Sequence, residues 1–284
     1  MSLWPRFRRR TRRQHTVFVL SGGAVRGAAQ VGMLRELLGA GLVPDAVVAV
    51  SAGALNGLPV ANDPTLEQVD LLEEIWREVA ARPPVRSGAL RTWVSILRGR
   101  PGFDTGERLR ELIEEYAPVT DLGDTLVPIH VGTTAASTGS LCWWRDGPSV
   151  DILCASAAIP GVFPSVPLPD GDHHLDGGVL SNLPLRYAVS LGATRLVVLD
   201  VAADFLPAEK QTALTSMLTG FRAATTELTR QEWLDVPESI EVLHVELPVA
   251  SSGLDLDFGE TEALLVEGAE AARGAIAASG WITG

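Results

Sequence analysis

Val47-Val48-Ala49-Val50-Ser51-Ala52-Gly53-Ala54-Leu55-Asn56 runs from a β-branched segment through an elbow of small residues into an apolar, helix-forming one. A serine at the top of such a strand-to-helix turn has its hydroxyl exposed, and its neighbours must be small for the chain to bend so sharply. The helix behind it favours negative charge developing near its N-terminus. The stretch predicts a nucleophile at Ser51 on an α/β frame, and with it a hydrolase.

Outward from the elbow, Val17-Phe18-Val19-Leu20 reads as a buried parallel strand that enters a glycine turn at Ser21-Gly22-Gly23. Val31, Leu34, Leu37 and Leu38 then recur at helical spacing until Gly39 and Gly41 stop the helix, and Ala46 to Val50 forms the next strand. Strand, helix and strand in so few residues imply a right-handed crossover in a parallel sheet. Further on, Asp63-Pro64 predicts the cap of a helix through Leu66, Val69, Leu72, Ile75, Trp76 and Val79. Val127 to Val131, Leu141 to Trp144, Leu196 to Val201 and Ile240 to Leu247 read as strands. Val150 to Ala158 and about Thr261 to Ile276 read as helices, and Leu214, Met217, Leu218 and Phe221 line one side of another. The expected fold is a three-layer α/β/α domain with a mainly parallel sheet, one domain over 16–284 behind a basic flexible arm over 1–15.

The 284 residues carry a net charge of −12, although arginines fill positions 6, 8, 9, 10, 12 and 13 with no acidic partner nearby. The body is thus strongly acidic, which excludes nucleic acid as the main ligand. The arm is open to two readings: a solubilising tail, or a peripheral contact with anionic membrane in which each arginine contributes roughly 1 kcal/mol. No apolar core follows the arginines, so a cleaved secretory signal is not expected. Apolar residues make up 46% of the chain, yet no uninterrupted apolar stretch reaches the length of a membrane span. Cys142 and Cys154, the two cysteines, form neither a disulfide framework nor a zinc set and fit a reducing, cytoplasmic compartment.

Two further segments carry chemistry. In Ser21-Gly22-Gly23-Ala24-Val25-Arg26-Gly27 the missing side chains let backbone N–H groups converge on an anion. Leu175-Asp176-Gly177-Gly178-Val179-Leu180-Ser181-Asn182-Leu183-Pro184 places a carboxylate between an apolar residue and two glycines. Each alone is weak, since Asp-Gly-Gly is usually a tight turn and a glycine-rich turn after a first strand is often a nucleotide loop. In this order, however, they resemble the patatin-like phospholipases. The glycine loop and its arginine fall on Gly22, Gly23, Arg26 and Gly27, the G-x-S-x-G elbow on Ala49-Val50-Ser51-Ala52-Gly53, and the Asp-Gly-Gly on Asp176, Gly177 and Gly178. Ala155-Ser156-Ala157-Ala158-Ile159-Pro160-Gly161-Val162-Phe163-Pro164 adds a fourth match.

That resemblance, which covers about residues 16 to 203, implies a Ser51/Asp176 dyad without a catalytic histidine or any cofactor. It also implies an oxyanion hole of N–H groups from Gly22, Gly23 and Ala52. The implied substrate is a phospholipid, lysophospholipid or other fatty acyl ester. Arg26 is open to two roles, toward the oxyanion or a lipid phosphate, or as a clamp on carbonyls. The chain departs from the pattern at Ala49, Ser21 and Ala24, where the family has glycine. A methyl at 49 narrows the packing behind the nucleophile, and Ala24 resists a positive φ if the loop needs one there. These departures motivate the alternative of a catalytically weak binding or regulatory protein.

A Ser-His-Asp triad is the rival chemistry, raised by His173 and His174. Both precede the acid, where triads of this type usually place histidine last, and His244 falls inside an apparent strand. No metal site is expected, because adjacent histidines in a turn lack partners at ligand spacing. A dinucleotide loop is disfavoured because, counting from Gly22, the third position is Ala24 rather than glycine. Leu141, Trp143 and the apolar residues of 85–103 are the expected lining of an acyl channel, and 85–103 its cover.

Overall fold

A computed structural model describes residues 14–84, 104–202, 213–247 and 258–281. The arginine arm and the segment 85–103 lie outside these residues, so the expectations placed on them do too. Among the described residues, eight strands form one mixed sheet with helices on both faces.

Four strands are parallel: β2 (Ala46–Ala49), β1 (Thr16–Leu20), β7 (Arg195–Asp200) and β8 (Glu241–Glu246), in that spatial order, with β3 (Ile129–Ala135) parallel to β2 on its other side. All five residues of β1 are buried, as expected for a strand with helices on both faces. Its side chains alternate between two cores: Phe18 and Leu20 face one, Val17 and Val19 the other. The first core lies under α1 (Gly27–Gly39), α2 (Ala52–Asn62), α3 (Leu66–Ala81), α4 (Glu107–Tyr116), α5 (Ser149–Ser156) and α8 (Thr261–Ser279). The second lies under α6 (Leu185–Ser190) and α7 (Ala213–Leu234). Glycines let α1 and α8 cross closely: a Cβ on Gly268 would lie 1.9 Å from the Ala29 carbonyl oxygen, and one on Gly32 would lie 2.0 Å from that of Leu265.

The remaining strands are antiparallel. β3 pairs with β4 (Ser140–Trp144) over residues 131–135 and with β6 (His173–Asp176) over 133–135, and β6 pairs with the short β5 (Val166–Pro167). This register decides where the site forms. β4 shares Val131 of β3 with β2, and shares 133–135 with β6, so β2 and β6 must lie on the same edge of β3. β6 therefore continues that edge where β2 stops, and its last residue, Asp176, faces the end of the strand that leads into Ser51.

Three expectations are revised. The α3 cap is Thr65, whose Oγ1 accepts from the Gln68 N–H at 3.3 Å, and Asp63 instead accepts from the Thr65 hydroxyl. Asp176, read from sequence as loop, ends a strand. The α8 helix runs slightly past its expected end to Ser279, where Gly280 takes φ +64°.

Candidate active site

Ser51 occupies a backbone conformation that side chains rarely tolerate, φ +53° and ψ −130°. Such strain persists only where the surroundings over-determine it. The Ser51 N–H donates to Ser156 Oγ at 2.9 Å, and the Ser156 hydroxyl donates to the Gly132 carbonyl of β3 at 2.8 Å. Behind the elbow, α2 runs so close to β1 that a Cβ on Gly53 would lie 2.5 Å from the Leu20 carbonyl oxygen. Only glycine fits there. The methyl of Ala49 packs beside Gly57 of α2, where a built Cβ would lie 3.4 Å away, an ordinary contact.

Asp176 is held from three sides. Its N–H donates to the Ala158 carbonyl at 3.0 Å, its carbonyl accepts from the Thr134 hydroxyl at 2.9 Å, and its Oδ1 accepts from the Gly178 N–H at 2.7 Å. The Ser51 side chain lies close enough to the same carboxyl to favour its ionised form. Burial pushes the carboxyl up to about 7, against the opposing pull of Ser51 and of the Gly178 N–H. A carboxyl poised there exchanges its proton near neutral pH, as a general base must. The glycines after it are sterically required: a Cβ on Gly177 would lie 2.3 Å from the Gly132 carbonyl oxygen.

The glycine loop lies beside Ser51, with a built Cβ on Gly22 only 3.1 Å from the Ser51 Cβ. The Gly22 N–H, expected to face an oxyanion, donates instead to the Asn182 carbonyl at 3.1 Å. Among the described residues the N–H groups of Gly23 and Ala52 make no hydrogen bond; Ala52 opens α2, where first-turn donors have no intrahelical acceptor. Ala24 takes φ +49°, the positive value that its side chain resists. Arg26 is buried and clamps main-chain carbonyls, Nε on Val201 at 2.9 Å and Nη2 on Leu247 at 3.0 Å. These are the chain ends leaving β7 and β8, so the arginine anchors the loop to the sheet. Gly27 meets Trp76, whose ring would lie 2.7 Å from an added Cβ.

Three contributors escaped the sequence reading. Ser156 sits inside a quoted motif but was given no role. Asn182, four residues past Gly178, bridges the Asp176 loop to Gly22. Asn56 accepts from Trp76 Nε1 at 2.9 Å and donates to the Gly27 carbonyl at 2.8 Å, which fixes an indole beside the site. The histidines stand apart from the dyad. His174 spends its ring nitrogens on Thr133 Oγ1 and Asp170, and exposed His173 meets Ser165. His244, expected buried, is partly exposed on β8 and lies 3.3 Å from Asp200.

Ser51 opens into a cavity of about 140 Å³ between α2, α3 and α4. Leu55, Trp76, Val79, Leu109, Ile113 and Phe163 are among its apolar walls. Leu141 and Trp143, expected as channel residues, are not. Trp143 stacks on Tyr187 at 4.1 Å between centroids, against the opposite core. Strand alternation puts the neighbouring Trp144 on the cavity's side of the sheet and sends Trp143 to the other.

The family model of patatin-like phospholipases matches residues 18–189. The chain is 27% identical over 186 residues to patatin-like phospholipase domain-containing protein 7 of Rattus norvegicus, covering 65% of this chain and 13% of that protein. It is 26% identical over 191 residues to the neuropathy target esterase sws of Drosophila melanogaster, covering 66% and 13%. It thus spans about an eighth of the length of these relatives. Among solved structures, VipD from Legionella pneumophila shares the fold at a TM-score of 0.50 and 13% identity, over 94% of this chain and 67% of that one.

Proposed function

Because this chain belongs to the patatin-like phospholipase family, we propose that it hydrolyses fatty acyl esters of lipids, with Ser51 as nucleophile and Asp176 as base. The observation that carries the reading is the Ser51 side chain set against a buried carboxyl whose proton affinity is raised to about 7, at the wall of an apolar cavity. Asp176 takes the Ser51 proton as the oxygen attacks the ester carbonyl. The N–H groups of Gly23 and Ala52 receive the oxyanion, and Gly22, whose donor is already engaged, shapes the loop. Collapse expels the alcohol with the proton from Asp176. The same carboxylate then deprotonates a water that cleaves the acyl-enzyme. The cavity takes the acyl chain, which fits phospholipid, lysophospholipid or another fatty acyl ester.

Fluorophosphonate labelling joined to a panel of p-nitrophenyl esters and phospholipids tests this. Wild type is expected to label and turn over, Ser51→Ala to do neither, and His173→Ala, at an exposed position, to do both. A folded wild type that fails to label would favour the second reading, a weakly active binding protein, for which the strained Ala24 is the motive. Peripheral contact of the arginine arm with anionic membrane is tested separately, by liposome pelleting with and without residues 1–13.

A further inference from the structure

We propose that Cys142, Asp170 and His174 form a binding site for a soft divalent transition-metal ion, with Zn²⁺ as the best match to the donor set. One sulfur, one oxygen and one nitrogen from these residues lie within 4.8 Å of one another. His174 Nε2 is 3.0 Å from Asp170 Oδ2 and 3.2 Å from Oδ1. Ligand atoms at the corners of a zinc tetrahedron lie roughly 3.3–3.7 Å apart, given metal–ligand bonds of about 2.0–2.3 Å. The nitrogen and oxygen are thus nearly at their bound separation, and only the Cys142 sulfur, on a side chain turned toward the Ser140 carbonyl at 3.8 Å, has to swing inward.

Sequence spacing hides this set, because the ligands come from opposite sides of β3. Cys142 pairs with Thr133, and His174 pairs with Ala135 two residues on, so both side chains share one face of the sheet across the small Ala135. Asp170 reaches in from the turn between β5 and β6. The histidine is also prepared as a metal ligand usually is, with its other nitrogen held. His174 is fully buried, and its Nδ1 lies 2.9 Å from Thr133 Oγ1, which accepts from Trp144 Nε1 at 2.8 Å. In the metal-free arrangement Nε2–H donates to the Asp170 carboxylate and Nδ1 accepts from the Thr133 hydroxyl; on binding the ring takes its other tautomer, donates Nδ1–H to Thr133 Oγ1 and turns the Nε2 lone pair to the ion. Binding forms metal–sulfur, metal–nitrogen and metal–oxygen bonds and releases the thiol proton to solvent, with no change of oxidation state. A water completes the fourth position.

The ion would clip together β4, the β5–β6 turn and β6, the strand that ends in Asp176. This site does not depend on the hydrolase reading, and its test uses no substrate. The tag-free chain, stripped with chelator under reducing conditions, is titrated with Co²⁺ and then with Zn²⁺. One equivalent of Co²⁺ is expected to give tetrahedral visible bands with a thiolate charge-transfer band, and Zn²⁺ to displace it and raise the melting temperature. Cys142→Ser should remove the charge-transfer band and weaken Zn²⁺ binding at least about a hundredfold, with Asp170→Asn costing tenfold or more. Both positions are partly or fully exposed, so these variants keep the test valid even if His174→Gln does not fold. Failure of wild type to take up Zn²⁺ below millimolar concentration would overturn the proposal. So would uptake that neither variant alters, which would place the ion elsewhere.

Discussion

The two sides of the proposed dyad are built at different physical cost. The serine side stores its cost in the backbone, where Ser51 sits at φ +53° and ψ −130° between a parallel strand and a helix. The aspartate side is relaxed in its main chain, with Asp176 at φ −51° and ψ 131°, and its cost is desolvation of a carboxyl. Strain does not depend on pH, whereas burial of an ionisable group does. The contrast teaches that a stability measurement can tell the two contributions apart where an activity measurement cannot.

The largest expected effects follow from that difference. Either Ser51→Ala or Asp176→Asn should lower esterase activity by a thousandfold or more, in line with loss of a nucleophile or its base. Wild-type activity should rise as pH passes through about 7, where Asp176 loses its proton. Stability should move the other way. The unfolded chain ionises Asp176 near pH 4, while the folded chain keeps the proton to about 7, so stability falls across that window and is lowest above it. Asp176→Asn removes the penalty, up to roughly 4 kcal/mol at pH 9 and nothing at pH 3. By contrast, Ser51→Gly should exceed Ser51→Ala in stability by about 1–2 kcal/mol at every pH, since only glycine relaxes that backbone. Urea denaturation of the three variants at pH 3, 5, 7 and 9 checks both. A pH-independent gain for Asp176→Asn would erase the contrast.

The same two sides differed in how readily the sequence disclosed them. β1, β2 and β7 carry short apolar runs, and parallel burial leaves that imprint locally, while β8 at the sheet edge shows the alternation of a half-buried strand. β6 leaves none: His-His-Leu-Asp is polar and short, and it is a strand because β3 extends beyond β2 and offers it an edge. Ser51 was therefore legible from its own neighbours, while Asp176 needed the order of three separated motifs. Asn182 and Ser156 could not be read at all, since each works through a main-chain group more than 100 residues away. The failed expectation for Gly22 has the same origin. Its N–H looked free in a glycine run, and only the fold shows the Asn182 carbonyl that takes it.

Two glycines probe the sides at a middle scale. Gly53→Ala drives a methyl into the Leu20 carbonyl at 2.5 Å, and Gly177→Ala into that of Gly132 at 2.3 Å. Neither obstacle is a side chain that can swing away. Each should cost about 2–3 kcal/mol, the upper range for overpacking, with activity falling because the dyad is displaced. Ser156→Ala comes next. It strands the Ser51 N–H and one Gly132 acceptor in a buried site, at about 1–3 kcal/mol. If Ser156 locks the strained elbow, this loss shrinks when measured in a Ser51→Gly background, where there is less strain to lock. Equal losses in the two backgrounds would show that the hydroxyl only satisfies hydrogen bonds.

The smallest effects distinguish the two alanines that replace family glycines, and they should have opposite signs. Ala24 holds φ +49° on the loop beside the site, where a Cβ costs about 1–2 kcal/mol. Ala24→Gly recovers that strain but frees the unfolded chain by roughly 0.4–1 kcal/mol, so a net gain of about 0.5 kcal/mol is expected. Ala49 lies in β2 with negligible exposure, its methyl packed beside Gly57 of α2. Ala49→Gly opens that contact and adds backbone freedom, for a loss of about 1 kcal/mol. Thermal melts of both variants at pH 5 read the pair with Asp176 held protonated. Should both substitutions stabilise, the Ala49 methyl would be strained like that of Ala24; a loss at 49 with a gain at 24 means that the core has packed around one departure and left the other as strain next to Ser51.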